Sequence, residues 1–321
     1  MNKFIVVGIS MLLCSVVSAA DEATSKRDNI AEILSLLQQH LYNAQTLNWS
    51  DIEREAYATL GSTPTEESER KAIKSILIAT KTNHTFYRYS DSKKVIFHSE
   101  LSCRYEQSDE PDINADVGYL VIDRFSSGSR ADAEDYIAQI AEQLMALDSQ
   151  ELKGWVIDLR RNSGGNMWPM LAALSPLFGN KRLGYFISPD GSKIQWGTYN
   201  NFSVLDNRYQ YRFPSQYSVR NANIPIAVLV SSKTASSGEA VLIATRAFEN
   251  VRTFGEASCG QSTSNKRYKL SNGDSLLVTG AVMADFKGEV FGQRIDVDEP
   301  TENALEAAQA WIDTLANSNA R

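Results

Sequence analysis

Apolar residues recur at three- and four-residue spacing through residues 27–81. The stretches NIAEILSLLQQHLYNAQTL and SERKAIKSILIATKT both show this spacing, which gathers apolar side chains on one face of a helix. A Thr-Pro break at Pro64 separates them. The pattern predicts an all-helical lobe in the N-terminal part of the chain.

From Gly118 onward, short apolar runs alternate with amphipathic stretches. Strands are predicted at GYLVIDRF, GWVIDL and IPIAVLVSS, and helices at RADAEDYIAQIAEQLMAL, NMWPMLAALSPLFG, SGEAVLIATRAFEN and ENALEAAQAWIDTLAN. Strands that alternate with helices indicate an α/β core whose sheet faces are covered.

Turn-forming residues mark two antiparallel strand pairs in the same region. The turn PDGS joins RLGYFIS to KIQWGTY, and Asn272-Gly273 joins KRYKLSN to SLLVTGAVM. The segment between KIQWGTY and IPIAVLVSS is rich in Asn, Ser and Tyr, which predicts a loop.

The first twenty residues, MNKFIVVGISMLLCSVVSAA, place one lysine before a mostly apolar run and end in small residues. This is the pattern of a signal peptide cleaved near Ala20, so we expect an exported protein, periplasmic or secreted. A lipid anchor at Cys14 is disfavoured because two leucines precede it. No later run approaches the roughly 18 apolar residues of a membrane span, so stable membrane insertion is not expected. The predicted organisation is a signal peptide at 1–20, a helical lobe with a linking segment at 21–115 and an α/β core at 116–321.

Composition narrows the range of partners. The formal net charge is −7, and it becomes −8 without Lys3, so the chain does not favour a nucleic-acid partner. Cys103 and Cys259 either pair in an oxidising compartment or remain thiols, and without CxxC spacing or neighbouring histidines they do not suggest a metal site. Neither a cofactor nor a metal is expected, and the sequence does not indicate the oligomeric state.

Ser236 stands where an apolar strand turns into a helix, in LVSSKTASSGEAVLIATRAF. With Glu239 it fits a capping box, in which the hydroxyl accepts from the amide three residues on and the glutamate reaches back. A serine at such a turn also lies beside unpaired helix amides that stabilise an oxyanion, so a nucleophile is the alternative. A nucleophilic serine needs a general base that takes its proton, so the choice between cap and nucleophile depends on whether the chain supplies such a base.

Three histidines could supply that base. His40 ends an amphipathic helix and is explained as a surface or capping residue, and His98 follows the strand-like KVIF. His84, in TKTNHTFYRY, lies between a helix and an aromatic strand-like segment, a position where loops carry functional groups.

A second strand-to-helix turn, in GWVIDLRRNSGGN, contains Gly164 and Gly165. Glycines allow close backbone approach with amides that point outward, which suits an anion site. A phosphate-binding turn or a tight structural link is also consistent, although the Gly-Lys-Ser/Thr ending of a P-loop is absent. Asp158 and Arg160 fit a structural ion pair.

Several spaced segments together resemble the serine peptidases of the C-terminal-processing (tail-specific) protease and tricorn core protease family. The match runs from about Ala72 to Asp298. In order, it comprises NHTF, VGYLVIDRF, KGWVIDLRRNSGGNMWPML, LVSSKTASSGEA, FGEASCGQS, LSNGDSLLVTGAVM and FGQRIDVDEP. The resemblance implies a crotonase/ClpP-like α/β core, the peptidase catalytic core at 116–321, preceded by the N-terminal helical lobe.

The same resemblance implies roles for individual residues. The family's nucleophile is the serine three positions before the glutamate of a Thr-Ala-Ser-x-x-Glu stretch, which here is Ser236. Its oxyanion donors are a glycine of the pair after the Asp-Leu-Arg strand and the amide after the nucleophile. These positions are Gly164 or Gly165, and Ser237.

The expected base differs between the branches of the family. Tail-specific proteases use a lysine, and GEASCGQS holds Gln261 at that place, where a glutamine cannot accept a proton. The tricorn-type branch takes its base from a histidine of the N-terminal lobe, and His84 occupies that place. Asn83 precedes it where that branch has a serine, and its amide could partly substitute by hydrogen bonding.

In the tricorn-type branch, a later glutamate orients the histidine. Phe291 stands where that glutamate would fall, so Asp285 or Glu289 is expected to hold the second imidazole nitrogen. The short distance in sequence from His84 to VGYLVI leaves no room for a PDZ domain, so recognition of a protein C-terminus is not implied.

The primary hypothesis is hydrolysis of a peptide or protein substrate through an acyl-enzyme on Ser236, with His84 as general base. One alternative is a catalytically inactive module that binds hydrophobic ligands or peptides on the same scaffold. Another is a hydrolase of small esters or amides that uses the same serine.

Overall fold

The computed structural model describes residues 19–91, 94–99, 101, 103–105 and 112–319. Apart from Ala19 and Ala20, which begin the first helix, the predicted signal peptide at 1–20 lies outside these residues. The helices are α1 (Ala19–His40), α2 (Trp49–Leu60), α3 (Glu66–Ala79), α4 (Arg130–Leu147), α5 (Met167–Ala173), α6 (Ser175–Phe178), α7 (Ser237–Thr245) and α8 (Ala304–Asn319). The strands are β1 (Phe86–Arg88), β2 (Val95–Phe97), β3 (Val117–Val121), β4 (Gly154–Asp158), β5 (Lys181–Ile187), β6 (Lys193–Tyr199), β7 (Phe202–Leu205), β8 (Arg208–Arg212), β9 (Ile226–Val230), β10 (Val251–Gly255), β11 (Thr263–Lys269), β12 (Ser275–Asp285) and β13 (Glu299–Pro300).

A parallel sheet with the order β13-β10-β9-β4-β3 forms the centre of the α/β core. Every residue of β4 and β9 is buried, because helices cover both faces, and this explains why their sequences are apolar apart from Asp158 at the end of β4. One face packs against α8 through Ala304, Ala308 and Ile312. Helices α4, α5 and α7 pack against the other face.

An antiparallel sheet with the order β2-β1-β12-β5-β6-β7-β8 lies beside it, with β11 paired to β12. The eleven-residue strand β12 pairs with β11 and also with β1 and β5, which lie at different points along its length. Its Leu277 pairs with Phe86 of β1, and its Val282 pairs with Ile187 of β5. The N-terminal lobe and the α/β core are therefore joined through one continuous strand.

The helical lobe has a hydrophobic core of its own. Side chains of α1, α2 and α3 cluster there with Tyr87 of β1 and with Leu276 and Val278 of β12. The helices of the lobe therefore bury their apolar faces against β1 and β12, and β12 belongs to the C-terminal part of the chain.

The predicted helical lobe and the mixed α/β fold are both confirmed, and both predicted antiparallel pairs form. The loop predicted from the Asn-, Ser- and Tyr-rich segment is wrong for residues 202–212, which form the hairpin β7–β8, whereas residues 213–223 lie outside the helices and strands. Leu205 pairs with Arg208, which leaves a two-residue turn at Asp206 and Asn207. Within the described part of the chain, no helix is long and apolar enough to cross a membrane.

Candidate active site

Ser236 occupies a sharp turn between β9 and α7. Its backbone has φ 53° and ψ −113°, a left-handed conformation that a residue other than glycine rarely adopts. The turn places the hydroxyl at the start of a helix, beside the amide of Ser237, which has no intrahelical acceptor. Ser236 and Ser237 both line the same cavity, whose volume is about 1040 Å³.

The glycine pair packs directly against this turn. A Cβ at Gly164 would lie 2.7 Å from the Cβ of Ser236, and one at Gly165 would lie 1.8 Å from the carbonyl oxygen of Phe125. Both glycines have positive φ, so larger residues are excluded by conformation as well as by space. The amide of Gly164 donates to Oδ1 of Asn162 at 3.0 Å.

Gly165 differs from Gly164 in its hydrogen bonding. It lines the cavity, and within the described residues its amide donates to no backbone or side-chain acceptor. Its carbonyl accepts from the hydroxyl of Ser237 at 2.9 Å. Of the two glycines that the sequence left open, Gly165 is therefore the one with an amide available to an anion.

The turns after β4 and β9 are tied to one another through the backbone. The amide of Ala235 donates to the carbonyl of Asn162 at 2.9 Å, and the hydroxyl of Thr234 donates to the carbonyl of Leu159 at 2.8 Å. The side-chain amide of Asn162 donates to the carbonyl of Ile122 at 2.9 Å. These bonds fix the glycine pair relative to Ser236.

Glu239 lies buried below the turn and accepts four hydrogen bonds. Oε2 accepts from the amides of Ser236 at 2.7 Å and of Gln261 at 2.9 Å. Oε1 accepts from the hydroxyl of Ser258 at 2.6 Å and from the amide of Gly260 at 2.8 Å. Burial raises the pKa of this carboxyl to about 7, although the four donors act in the opposite direction.

His84 lies between α3 and β1, and it lines the cavity together with Ser236. Its Nδ1 is 2.7 Å from the hydroxyl oxygen of Thr263, on β11. Desolvation by burial lowers the pKa of the ring to about 4, so the imidazole is neutral at physiological pH. With Nδ1 engaged, Nε2 is the nitrogen that remains for chemistry in the cavity.

One side chain from the loop before β11 and one from β11 itself hold the turn that carries this histidine. The carboxamide of Gln261 donates to the carbonyl of Asn83 at 2.9 Å, and that of Asn265 donates to the carbonyl of His84 at 2.6 Å. The backbone amide of Gln261 also binds Glu239. Gln261 therefore links the histidine turn to the carboxylate that holds the amide of Ser236.

The carboxylates expected to orient the histidine have other partners. Oδ1 of Asp285 accepts from the amides of Lys287, Gly288 and Glu289, so it caps the turn after β12. The side chain of Glu289 is exposed. The ring is held instead by Thr263 of β11, whereas Asp285 pairs with Gly184 of β5.

The other histidines are placed differently from His84. His40 ends α1 and also lines the cavity, where its ring stacks on Tyr268 with ring centroids 4.7 Å apart. His98 follows β2, and within the described residues it does not line the cavity. Asp158 forms the expected ion pair with Arg160, at 2.6 Å.

Cys103 and Cys259 form a disulfide with a Cα–Cα distance of 5.2 Å. Cys259 directly precedes Gly260 and Gln261, so the bridge fastens the loop that binds Glu239 to the segment after β2. The sequence was consistent both with this disulfide and with two free thiols. Among His, Cys, Asp and Glu of the described residues, no cluster is arranged to hold a metal ion.

Sequence reasoning missed Thr263. A threonine two residues after Gln261 belongs to no motif, and only the pairing of β11 with β12 brings it to the ring of His84. Asn162 and Asn265 were missed for the same reason, because their bonds depend on turns and strands that meet only in the fold.

Comparison with known proteins gives the family. A family model described as peptidase family S41 matches residues 116–301. The nisin-resistance protein of Lactococcus lactis subsp. lactis is 29% identical over 210 residues, which cover 63% of this chain and 61% of that protein. The carboxy-terminal processing protease CtpB of Bacillus subtilis is 26% identical over 168 residues, which cover 51% of this chain and 29% of that protein. The matches thus span less than two thirds of the length of these relatives.

Solved structures share the fold at low identity. A lipoprotein from Streptococcus agalactiae is 22% identical and superposes with a TM-score of 0.70, over 96% of this chain and 100% of that chain. The photosystem II D1 C-terminal processing protease is 14% identical, with a TM-score of 0.54 over 87% of this chain and 93% of that chain. Because the family model covers more than half of the 321 residues, the chain belongs to peptidase family S41, whose members are serine peptidases.

Proposed function

We propose that the protein is an exported serine peptidase in which Ser236 is the nucleophile and His84 the general base. The observation that carries the proposal is the shared cavity, into which the strained turn presents Ser236 while Thr263 holds the opposite nitrogen of the neutral His84 ring. A neutral imidazole accepts a proton, whereas Gln261 cannot.

In the acylation step, Oγ of Ser236 bonds to the carbonyl carbon of the peptide while Nε2 of His84 takes the hydroxyl proton. The carbonyl electron pair moves to oxygen, and the amides of Gly165 and Ser237 donate to that oxyanion. Collapse of the intermediate breaks the C–N bond, and the leaving amine takes the proton from Nε2. An ester on Ser236 remains.

Deacylation repeats these transfers with water. Nε2 accepts a proton from water as the hydroxide oxygen bonds to the ester carbon, and the proton passes to Oγ when the C–O bond breaks. Thr263 holds the imidazolium in place as a neutral partner, in a position where other peptidases use a carboxylate.

Export is supported by two independent features. The first twenty residues have the pattern of a signal peptide, and Cys103 and Cys259 are joined in a disulfide. Disulfides persist in oxidising compartments such as the periplasm and the extracellular space. The curated relatives are named a nisin-resistance protein and carboxy-terminal processing proteases, which supports a peptide or protein as substrate.

The first prediction concerns the catalytic pair. Ser236→Ala and His84→Ala should each lower kcat for peptide hydrolysis by about 10⁴-fold, because nucleophile and base act as one unit. A fluorophosphonate probe should label the wild type and leave Ser236→Ala unlabelled. Circular dichroism serves as the control for folding. Near-normal turnover in His84→Ala would exclude the histidine as base, and failure of every reactive probe to label the wild type would exclude the peptidase.

A further inference from the structure

Among the residues that the structure describes, the charged side chains that line the cavity at Ser236 are cations. Arg88, Arg124 and Lys266 contribute to its walls, and no aspartate or glutamate of the described residues does so. The chain as a whole has a formal net charge of −7. The sign of the local charge is therefore opposite to that of the protein, and a concave site concentrates this effect.

None of these three cations has an ion-pair partner within the part of the chain that the structure describes. Arg88 lies over the ring of Phe86 at 5.8 Å, and Lys266 lies over the ring of Tyr268 at 5.2 Å. Arg160 and Arg161, outside the cavity, pair with aspartates at 2.6 and 2.9 Å. The charges of the cavity cations thus remain available to a ligand.

Arg124 borders the oxyanion turn. It precedes Phe125, which forms a parallel bridge with Gly165 and whose carbonyl accepts from the amide of Asn166 at 2.6 Å. The segment that carries Arg124 is therefore fixed beside the amide proposed to bind the oxyanion.

Arg88 borders the opposite, histidine side of the site. It lies on β1, four residues after His84, and it pairs with Val95 of β2. On the same face, Phe86 pairs with both Phe97 and Leu277. Val95 and Phe97 are 46% and 41% exposed, so this side offers an apolar surface next to a cation.

Two carboxylates of the described residues that lie near the site, Asp123 and Glu239, are already engaged by other groups. Asp123, which precedes Arg124, pairs with Arg161 at 2.9 Å. Glu239 is buried and accepts four donors, so it is not presented to a ligand. Electrostatic complementarity therefore favours a substrate with negative charge.

We propose that the cavity selects peptides with carboxylates on both sides of the scissile bond and an apolar side chain on the side that contacts β1 and β2. Arg124 binds the carboxylate next to the oxyanion turn, and Arg88 binds the one on the histidine side. The proposal rests on the proposed peptidase function. A carboxylate on a substrate belongs to an acidic side chain or to a chain end, and both present the same group to a guanidinium.

The test uses the purified full chain and fluorogenic peptides that differ only in charge. One peptide carries Glu on both sides of the cleaved bond, and its partner carries Gln there. Each is made with a free and with an amidated C-terminus, which separates side-chain carboxylates from the chain end. Loss of a charge-assisted hydrogen bond predicts that kcat/KM falls about tenfold or more from Glu to Gln, mainly through KM. Raising salt to about 0.5 M should reduce the preference.

Charge variants identify the groups responsible. Arg124→Gln and Arg88→Gln should each reduce the Glu-over-Gln preference, and together they should abolish it. Arg208→Gln on β8 is the matched control, because Arg208 is exposed and does not line the cavity. This control should retain the full preference.

Peptide binding to the variant Ser236→Ala measures the charge preference in the absence of hydrolysis. The acidic peptide should bind this variant about tenfold more tightly than its Gln partner, as measured by fluorescence anisotropy. Equal binding of the two peptides would overturn the charge inference, even if the wild type hydrolyses both. Absence of hydrolysis and of probe labelling in the wild type, with the binding preference retained, would instead overturn the peptidase function alone.

Discussion

The conformation of Ser236 is stabilised by one buried carboxylate. A residue other than glycine in this region of backbone space costs about 1–3 kcal/mol, so surrounding contacts must hold it there. Glu239 does so by accepting the amide of Ser236 together with three other donors. Glu239 thereby fastens the start of α7, as the capping box expected from the sequence requires, while Ser236 also lines the cavity.

The pKa of Glu239, which burial raises to about 7, predicts a pH dependence of activity. A protonated carboxyl cannot accept all four donors, so kcat/KM should fall as pH decreases through about 7. His84 does not cause this loss, because its pKa is about 4. Glu239→Gln mimics the protonated form and should show about 10- to 100-fold lower kcat/KM at pH 8, with no transition near pH 7. An unchanged transition in this variant would assign it to another group.

As pH rises towards 7, the contribution of Glu239 to the free energy of unfolding should decrease, whereas kcat/KM should increase. The folded pKa of Glu239 exceeds the ordinary value of 4.5, so between about 4.5 and 7 the folded state binds more protons than the unfolded state. The contribution of Glu239 to the free energy of unfolding therefore decreases as pH rises through this window. Urea denaturation of the wild type and Glu239→Gln at several pH values measures this difference.

Thr263 is predicted to be a positioning residue for His84. Thr263→Val keeps the shape and removes the hydroxyl 2.7 Å from Nδ1, which leaves that nitrogen without its partner. We expect kcat to fall about 10- to 100-fold with KM little changed, because misorientation of a base affects the chemical step. Thr263→Ser restores the hydroxyl and should recover most of the activity. If Val and Ser variants lose activity equally, the hydroxyl has no orienting role.

At the scale of elements, the hydrophobic pattern predicted the parallel strands and the helices well. The strands in GWVIDL and IPIAVLV are buried on both faces, so their mostly apolar sequence is a direct consequence of their position. The hairpin β7–β8 was missed because its residues are mostly half-exposed or exposed, so no apolar alternation marks them. Its two-residue turn, with φ 53° at Asp206, was the available signal.

The candidate site shows the same limit of sequence patterns. Ser236, His84, the glycine pair and Gln261 could be named as candidates because each lies in a segment with a family pattern. Thr263, the partner of the His84 ring, could not be named from the sequence. It lies 179 residues further along the chain and reaches the ring only because β11 runs beside the histidine turn. The resemblance pointed to a carboxylate, and the register of β11 supplies a threonine.

The loop between β10 and β11 has a predicted role through Gln261. Gln261→Ala removes the bond to the carbonyl of Asn83, so the histidine turn should loosen and kcat should fall roughly 10-fold or more. Gln261→Glu is the matched control, since it keeps the length and loses the donor, and it should show the same loss. The double variant His84→Ala, Gln261→Lys should remain inactive, because the side chain at 261 is directed at Asn83. Recovery of turnover in the double variant would contradict this arrangement.

At the scale of the whole molecule, the disulfide closes a loop of 156 residues in sequence separation. The double variant Cys103→Ser, Cys259→Ser should lower the free energy of unfolding by roughly 2–5 kcal/mol, because the unfolded chain gains conformational freedom. Urea denaturation under non-reducing conditions measures this difference. The wild type in dithiothreitol is the control and should approach the variant; no difference between oxidised wild type and variant would show that the bridge does not stabilise the fold.

The sharing of β12 between the lobe and the core makes the two halves of the proposed site depend on each other. The turn that carries the proposed base docks on β11, which follows the nucleophile turn in the chain. The donors that hold Glu239 below Ser236 also follow α7. Nucleophile and base therefore come together only when the lobe and the late strands fold as one unit, so a chain that lacks β11 and β12 would keep both residues and still lack the site.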